Sequence, residues 1–255
     1  MCYSALIKRE IKYLKNKFGP LDVRIQEDFL FDHEMGSSVR VFPGLQAPVV
    51  GKSENGFFVD NMQYGCFQPE YIKVKYTTFN ARRDNLLSDF WDSAFMLNHG
   101  CVVLDGFSEW VAVTDLLSTK LVTLDQIIAV FDKQTEERRQ SIFAKGKPYK
   151  PTKTELLNPL ERKVVIDFTS QTSEPLYVPV IFNQKNNAKG FAIVTHDPLP
   201  EVFAAGHDRS PIFLDFNSIC EWMSCHHKTA RNFDAILARS QNIKFEPRLL
   251  KMSVQ

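Results

Sequence analysis

The stretch CVVLDGFSEWVAV, residues 101–113, decides how the chain is read. Its valines, Phe107 and Trp110 favour extended backbone, and Asp105-Gly106 is a turn dipeptide. The stretch therefore reads as strand, turn, strand. That reading places Glu109 just after a glycine turn, inside an otherwise apolar strand pair. A carboxyl there either pairs with a surface lysine or is held in an apolar setting for a reason.

Upstream, residues 39–79 carry short β-type runs (VRVF, APVV, GFFV, YIKVKYTTF) separated by Pro43, Gly44, Gly51 and Asn55-Gly56. Ile7, Ile11, Leu14 and Phe18 recur at helical spacing before Gly19-Pro20, which predicts an amphipathic helix over 4–18. Residues 85–98 return to helical spacing. Downstream, Thr123 and Gln126 form a capping box for a helix over 124–144. The Pro- and Lys-rich segment after it reads as a mobile connection or insertion. Strands resume with KVVIDF, LYVPVIF and GFAIVT, and a helix is expected from Pro211 to His227. Strands and helices do not alternate regularly, so the fold class is α+β, a single domain over 1–255 without internal repeats.

The 255 residues are 44% hydrophobic with a net charge of +1, so no global field draws in nucleic acid and any such binding needs a local basic patch. No apolar run is long enough to span a bilayer, and the N-terminal region is charged throughout, unlike a signal peptide. Cysteines 2, 66, 101, 220 and 225 form no disulfide framework, which suggests a reducing cytosol. CEWMSCHH, residues 220–227, crowds two Cys and two His together, but C-x4-C followed by adjacent His is not a standard zinc spacing. No metal and no cofactor are expected.

Four short stretches carry candidate chemistry. Cys2 follows the initiator methionine; if Met1 is removed, its free α-amine lies two carbons from a thiol. TTFNARRDN sets Asn80 at the end of a strand-like run, with Arg82 and Arg83 beyond. LDGFSEW holds Glu109 and Trp110. GHDRSPIFLD holds His207 and Arg209 in a turn before an apolar run. Each has an ordinary structural explanation: a frayed terminus, a turn cap, a surface ion pair, a loop histidine.

In this order, MC, NAR, GFxEW and HDRxP, the motifs resemble those of the SRAP family (SOS response-associated peptidases), whose usual signatures read MCGR, NARAE, GFYEW and HDRMP. VFPGLQAPVV and MQYGCFQPEY are similar to two further family segments, so the resemblance runs from residue 2 to about 214. There are departures. Ser4 stands where many members have arginine, which by the resemblance would leave one phosphate contact missing; Tyr64 replaces a tryptophan; Asp84 replaces the Glu of NARAE; Ser210 replaces the Met of HDRMP. Residues 4–35 and about 112–161 read as insertions relative to short members.

The resemblance implies a β-rich, barrel-like SRAP domain that crosslinks itself to abasic sites in single-stranded DNA in the DNA-damage response. It implies Cys2 as nucleophile, with Asn80, Glu109 and His207 as the other catalytic residues. Arg82 and Arg209 would hold phosphates, and Tyr64 and Trp110 would offer faces to bases. The "peptidase" label fits removal of Met1, by the protein itself or by an aminopeptidase. The expected partner is abasic single-stranded DNA and no membrane, with the chain a monomer, cytoplasmic and DNA-associated. Two alternatives stay open: an N-terminal-nucleophile cysteine amidohydrolase or peptidase, and a single-stranded DNA-binding protein without chemistry.

Overall fold

Residues 101–113 do not turn. In the computed structural model, which describes residues 3–8, 10–25, 38–73, 78–172, 174–224 and 228–250, most of them lie within one strand of 14 residues. The elements run β1 (Ser4–Lys8), α1 (Ile11–Phe18), β2 (Leu21–Val23), β3 (Ser38–Val41), β4 (Gln46–Ser53), β5 (Gly56–Tyr64), β6 (Asn80–Arg82) and α2 (Asp92–Leu97). They continue with β7 (His99–Ala112), α3 (Val113–Ser118), α4 (Leu124–Ala144), β8 (Lys163–Ser170), β9 (Leu176–Lys185) and β10 (Ala188–His196). The chain closes with α5 (Pro200–Ala204), β11 (Ser210–Pro211), α6 (Phe216–Met223), α7 (Ala230–Leu237) and β12 (Phe245–Leu249).

Five strands close into a barrel: β10 pairs β5, β5 pairs β4, β4 pairs β7, β7 pairs β9, and β9 returns to β10. Closure leaves these strands no free edge against one another. The length of β7 lets it serve two neighbourhoods. Its first half lies between β4 and β9, and its second half runs between β1 and β8. The α+β, single-domain, barrel-like reading matches this architecture.

The Asp-Gly pair that suggests a turn is instead a bulge. Leu6 pairs with Gly106 and Ile7 with Leu104, so Asp105 is the extra residue. Its carboxylate takes an ion pair from Lys8 at 2.8 Å and a hydrogen bond from the Ser38 hydroxyl. Gly106 is required for close approach: a Cβ there would lie 2.5 Å from the Phe168 carbonyl oxygen. The bulge also reverses which residues point inward. Before it, Val102 and Leu104 face the cluster inside the barrel, while Cys101 and Val103 face the layer under the helices. After it, Phe107 and Val111 face inward. Both faces of the first half are covered, which is why CVVL is continuously apolar.

The predicted helix over 4–18 forms only from Ile11. Residues 4–8 pair with β3 on one side and β7 on the other, and Ala5 and Ile7 are fully buried in the barrel cluster. Sheet pairing on two edges outweighs local periodicity. Over 85–98 only α2 is α-helical, because turns at Ser88 carry Leu86 and Trp91 into the same apolar layer. The helix expected from Pro211 begins at Phe216, where Asp215 caps it by accepting from the Ser218 N–H; Ile212 still bonds to Val194. The capped helix over 124–144 forms as read, capping box included.

The segment after α4 is not a loose connection. Arg138 pairs with Glu155 at 2.8 Å, Arg138 and Arg139 both lie 5.1 Å from the Tyr149 ring, and Arg162 donates to the Leu157 and Glu155 carbonyls. These contacts fasten it to α4 as an ordered arm. Among the described residues no helix is long and apolar enough to cross a membrane.

Candidate active site

Glu109 sits where the bulge aims it, on the inward face of β7 between Phe107 and Val111 in sequence, with no solvent exposure. Burial pushes its carboxyl up to about 8. Across from it stands His207, with Nε2 3.4 Å from Glu109 Oε2. His207 is set by its own local device: α5 is capped by Ala205, and Gly206 takes φ +87 as the residue after the cap. Burial lowers the His207 imidazole to about 4.

Both shifts disfavour charge, so at neutral pH the pair is a protonated carboxyl facing a neutral imidazole. His207 Nδ1 lies 3.3 Å from the Arg209 amide, which donates to it, and 3.1 Å from the Arg209 carbonyl. A ring protonated at Nδ1 donates to that carbonyl and turns an accepting Nε2 toward the protonated Glu109, whereas the other tautomer accepts from the amide and carries its hydrogen on Nε2. The turn is held from behind by Ser210, whose buried hydroxyl accepts from the Leu199 N–H at 2.8 Å.

Two clefts open beside this pair. One, of about 520 Å³, is lined by Tyr3, Phe79, Trp110, His207 and the arm residues Thr154 and Leu157. The other, of about 640 Å³, is lined by Asn80, Arg82 and Arg209 together with Tyr71, Phe90 and Trp91. They meet along Phe79-Asn80 and His207-Arg209, which contribute one residue to each. Asn80 is buried, and β6 pairs alongside β10 through Asn80 and Ile193. Thus Asn80, Glu109, His207, Arg82, Arg209 and Trp110 all surround one end of the barrel.

Cys2 lies outside the described residues. Its neighbour Tyr3 is in this cleft, with its N–H donating to the Ser108 carbonyl at 2.8 Å and its ring 4.9 Å from that of Trp110. Cys66 and Cys101 are in the core, Cys220 is half-buried on α6, and burial raises all three thiols. None of these three is an activated nucleophile. Cys225, His226 and His227, which complete the crowded CEWMSCHH stretch, lie outside the described residues.

Tyr64 is a correction. It has no solvent exposure, stacks on Phe191 at 5.1 Å and meets the edge of Phe79. Its ring faces are used by the core, so it offers none to a base. Trp110, by contrast, is 40% exposed. Sequence reasoning missed Tyr71, which is 68% exposed at the rim of the second cleft. The signal was available, since Tyr71 closes the same MQYGCFQPEY motif that contains Tyr64. Ser4 is buried, donating to the Ser108 hydroxyl at 3.1 Å.

The two arginines are not equally available. Arg82 forms a two-pronged ion pair with Asp84, with Nε 2.7 Å from Oδ1, and this holds the Asp84 carboxyl below its ordinary value. Among the described residues, the ion pair of Arg209 is a looser one, a 3.8 Å approach to Asp208. Arg83 is committed to Asp234 at 2.7 Å, which ties the segment after β6 to α7.

The sequence profile of the SOS response associated peptidase (SRAP) family matches residues 1–254. The chain belongs to the SRAP family. The family's description ties it to the SOS response to DNA damage and to a peptidase activity. Two solved structures share the fold seen here. A phage-related protein from Bordetella bronchiseptica aligns at a TM-score of 0.60 and 15% identity, covering 97% of this chain and 94% of its own. A protein from Bacteroides thetaiotaomicron aligns at 0.59 and 14%, covering 92% and 86%. No curated protein matches the chain.

Proposed function

We propose that the protein, after loss of Met1, captures abasic sites in single-stranded DNA as a covalent thiazolidine through Cys2. The observation that carries the reading is the buried Glu109–His207 pair at the barrel end where Tyr3, the residue after Cys2, is anchored to Ser108. The Cys2 α-amine adds to the open-chain aldehyde of the lesion and expels one water, giving a Schiff base. The Cys2 thiol then adds across the C=N bond, its proton passing to nitrogen, and the five-membered ring closes. The net change is loss of one water, with no oxidant or reductant. An α-amine titrating near 7.7–8.0 is partly neutral, hence nucleophilic, at physiological pH.

Glu109, loaded with its proton at neutral pH, serves as general acid for ring opening of the closed sugar and for departure of water. His207 relays protons to it, and Asn80 holds the amine or a sugar hydroxyl without adding charge. Arg209, and Arg82 once released from Asp84, bind the flanking phosphates. Trp110 and Tyr71 offer faces to neighbouring bases.

The test is a single-stranded oligonucleotide with one abasic site, incubated with protein whose Cys2 is exposed and run on a denaturing gel. A heat-stable shifted band is expected. With Met1 retained or a tag ahead of Cys2, the nitrogen is an amide whose lone pair is delocalised, so the band should vanish and return on cleavage. A band of equal intensity from the blocked protein would move the chemistry to a lysine. Absence of any band would favour an amidohydrolase or a non-covalent binder.

A further inference from the structure

A polar cluster that the chemistry above does not use joins four strands just behind the site. Ser4 on β1, Arg40 on β3, Ser108 on β7 and Asp167 on β8 meet through their side chains. Arg40 Nη1 lies 3.1 Å from Ser4 Oγ and 2.9 Å from Asp167 Oδ1, and Nη2 lies 2.8 Å from Asp167 Oδ2. Arg40 also donates to the Ser108 hydroxyl, which donates in turn to Asp167. The arginine is 23% and the aspartate 17% exposed, so the pair is largely shielded from water. A two-pronged guanidinium–carboxylate pair fixes orientation as well as distance.

The location gives the cluster its meaning. Ser4 pairs directly with Ser108, and Ser108 with Asp167, so these three share one rung of the sheet, and Arg40, which pairs with Leu6, reaches back to it with its side chain. Ser108 does two further things: its carbonyl anchors the Tyr3 N–H, and the next residue in the chain is Glu109. The start of β1 and the buried acid are thereby referenced to the same residue. At the far end of β1, Lys8 and Ser38 hold Asp105 and pin the strand against β3 and β7.

We propose that Arg40, with Asp167, is a positioning residue: it locks the N-terminal strand in register against β7, so that Tyr3 and Ser4, from which the reacting N-terminus extends, are held beside Ser108 and Glu109. The inference rests on the function proposed above, because it assigns residue 2 as the nucleophile. Arg40 touches no substrate in this account. Its effect is on alignment, where a displacement of about 1 Å can cost roughly a hundredfold in rate.

The experiment is single-turnover crosslinking over a range of DNA concentrations, using processed protein and the oligonucleotide with one abasic site. Arg40→Ala should lower the maximal rate by about tenfold to a hundredfold while the half-saturating DNA concentration changes by less than about twofold. Arg40→Lys, which restores a charge but not the fork, should recover part of the loss. A merely structural role would lower the melting temperature and leave the maximal rate of the folded fraction unchanged, and that result would overturn the inference. So would a shift in half-saturation alone. Should Arg40→Ala not fold, Ser108→Ala removes the hydroxyl and keeps the carbonyl, and a wild-type maximal rate from it would likewise refute the inference. If wild-type protein gives no adduct, the proposed function itself fails and the positioning role falls with it; if wild type reacts and both variants match it, only the positioning role fails.

Discussion

Replacing Glu109 by glutamine separates the chemistry from the fold more sharply than any other single change. In the folded protein the carboxyl is pushed from an ordinary 4.5 up to about 8, chiefly by burial. A group whose folded value is raised contributes stability that is complete below its unfolded value and is lost as pH rises through the folded one. For Glu109 the window runs from about 4.5 to about 8. At pH 7 the loss corresponds to about two and a half pH units at about 1.4 kcal/mol each, or about 3 kcal/mol. Glutamine has nearly the same shape and carries no charge at any pH, so the variant should escape this loss. His207 works in the opposite sense: with its folded value lowered to about 4, its stability is complete above 6.5 and is lost as pH falls through 4. Both proteins share that contribution, so it cancels when they are compared.

The assay has two parts. Denaturant unfolding of both proteins at a series of pH values should show the variant gaining on wild type by about 3 kcal/mol between about pH 4.5 and 7, less whatever the carboxyl's own contacts contribute. Crosslinking of abasic DNA at pH 7 should be about a hundredfold slower in the variant, with DNA affinity unchanged because Glu109 has no exposed surface. The wild-type rate should be bell-shaped in pH, rising as the Cys2 amine loses its proton and falling as Glu109 loses its own. The variant should keep only the rising limb. A wild-type crosslinking rate in the variant, or a falling limb that persists in it above about pH 8, would refute the acid role; a stability difference that does not grow with pH would refute the burial argument.

Further outcomes concern the bulge, the base-stacking faces and the phosphate contacts. Gly106→Ala places a methyl 2.5 Å from the Phe168 carbonyl oxygen, and should cost about 1–3 kcal/mol or more in denaturant unfolding because backbone cannot step aside. Trp110→Ala should weaken binding of single-stranded DNA by about 1–3 kcal/mol in fluorescence anisotropy, whereas Tyr64→Phe should leave it unchanged, since Tyr64 is enclosed by Phe191 and Phe79. Arg209→Ala should reduce the log–log salt dependence of binding by roughly 0.7, the loss of one phosphate contact on a single strand. Arg82→Ala should do the same only if DNA displaces Asp84 from it; Asp84→Asn should then strengthen binding at low salt.

How far the site was legible in the sequence turns on one residue of the bulge. The motifs locate Asn80, Glu109, His207, Arg82 and Arg209 without any coordinates, and the structure brings them to one end of the barrel. What periodicity could not supply was the direction in which each side chain points. Tyr64 and Trp110 are both aromatic residues in strands, and nothing local distinguishes the core ring from the exposed one. Glu109 and Trp110 are adjacent, so the pleat must send one inward and the other outward. Continuing the alternation set by Val102 and Leu104 without interruption would turn Trp110 in and Glu109 out. The extra residue at Asp105 reverses that order. The Asp-Gly pair, which looks like a turn when read locally, keeps β7 whole and rotates the acid into the barrel. The same reversal exposes Trp110 to the cleft. A bulge has no signature distinct from a turn until the partner strands are known, and β1, the strand that reveals it, is itself disguised by helical periodicity over residues 4–18.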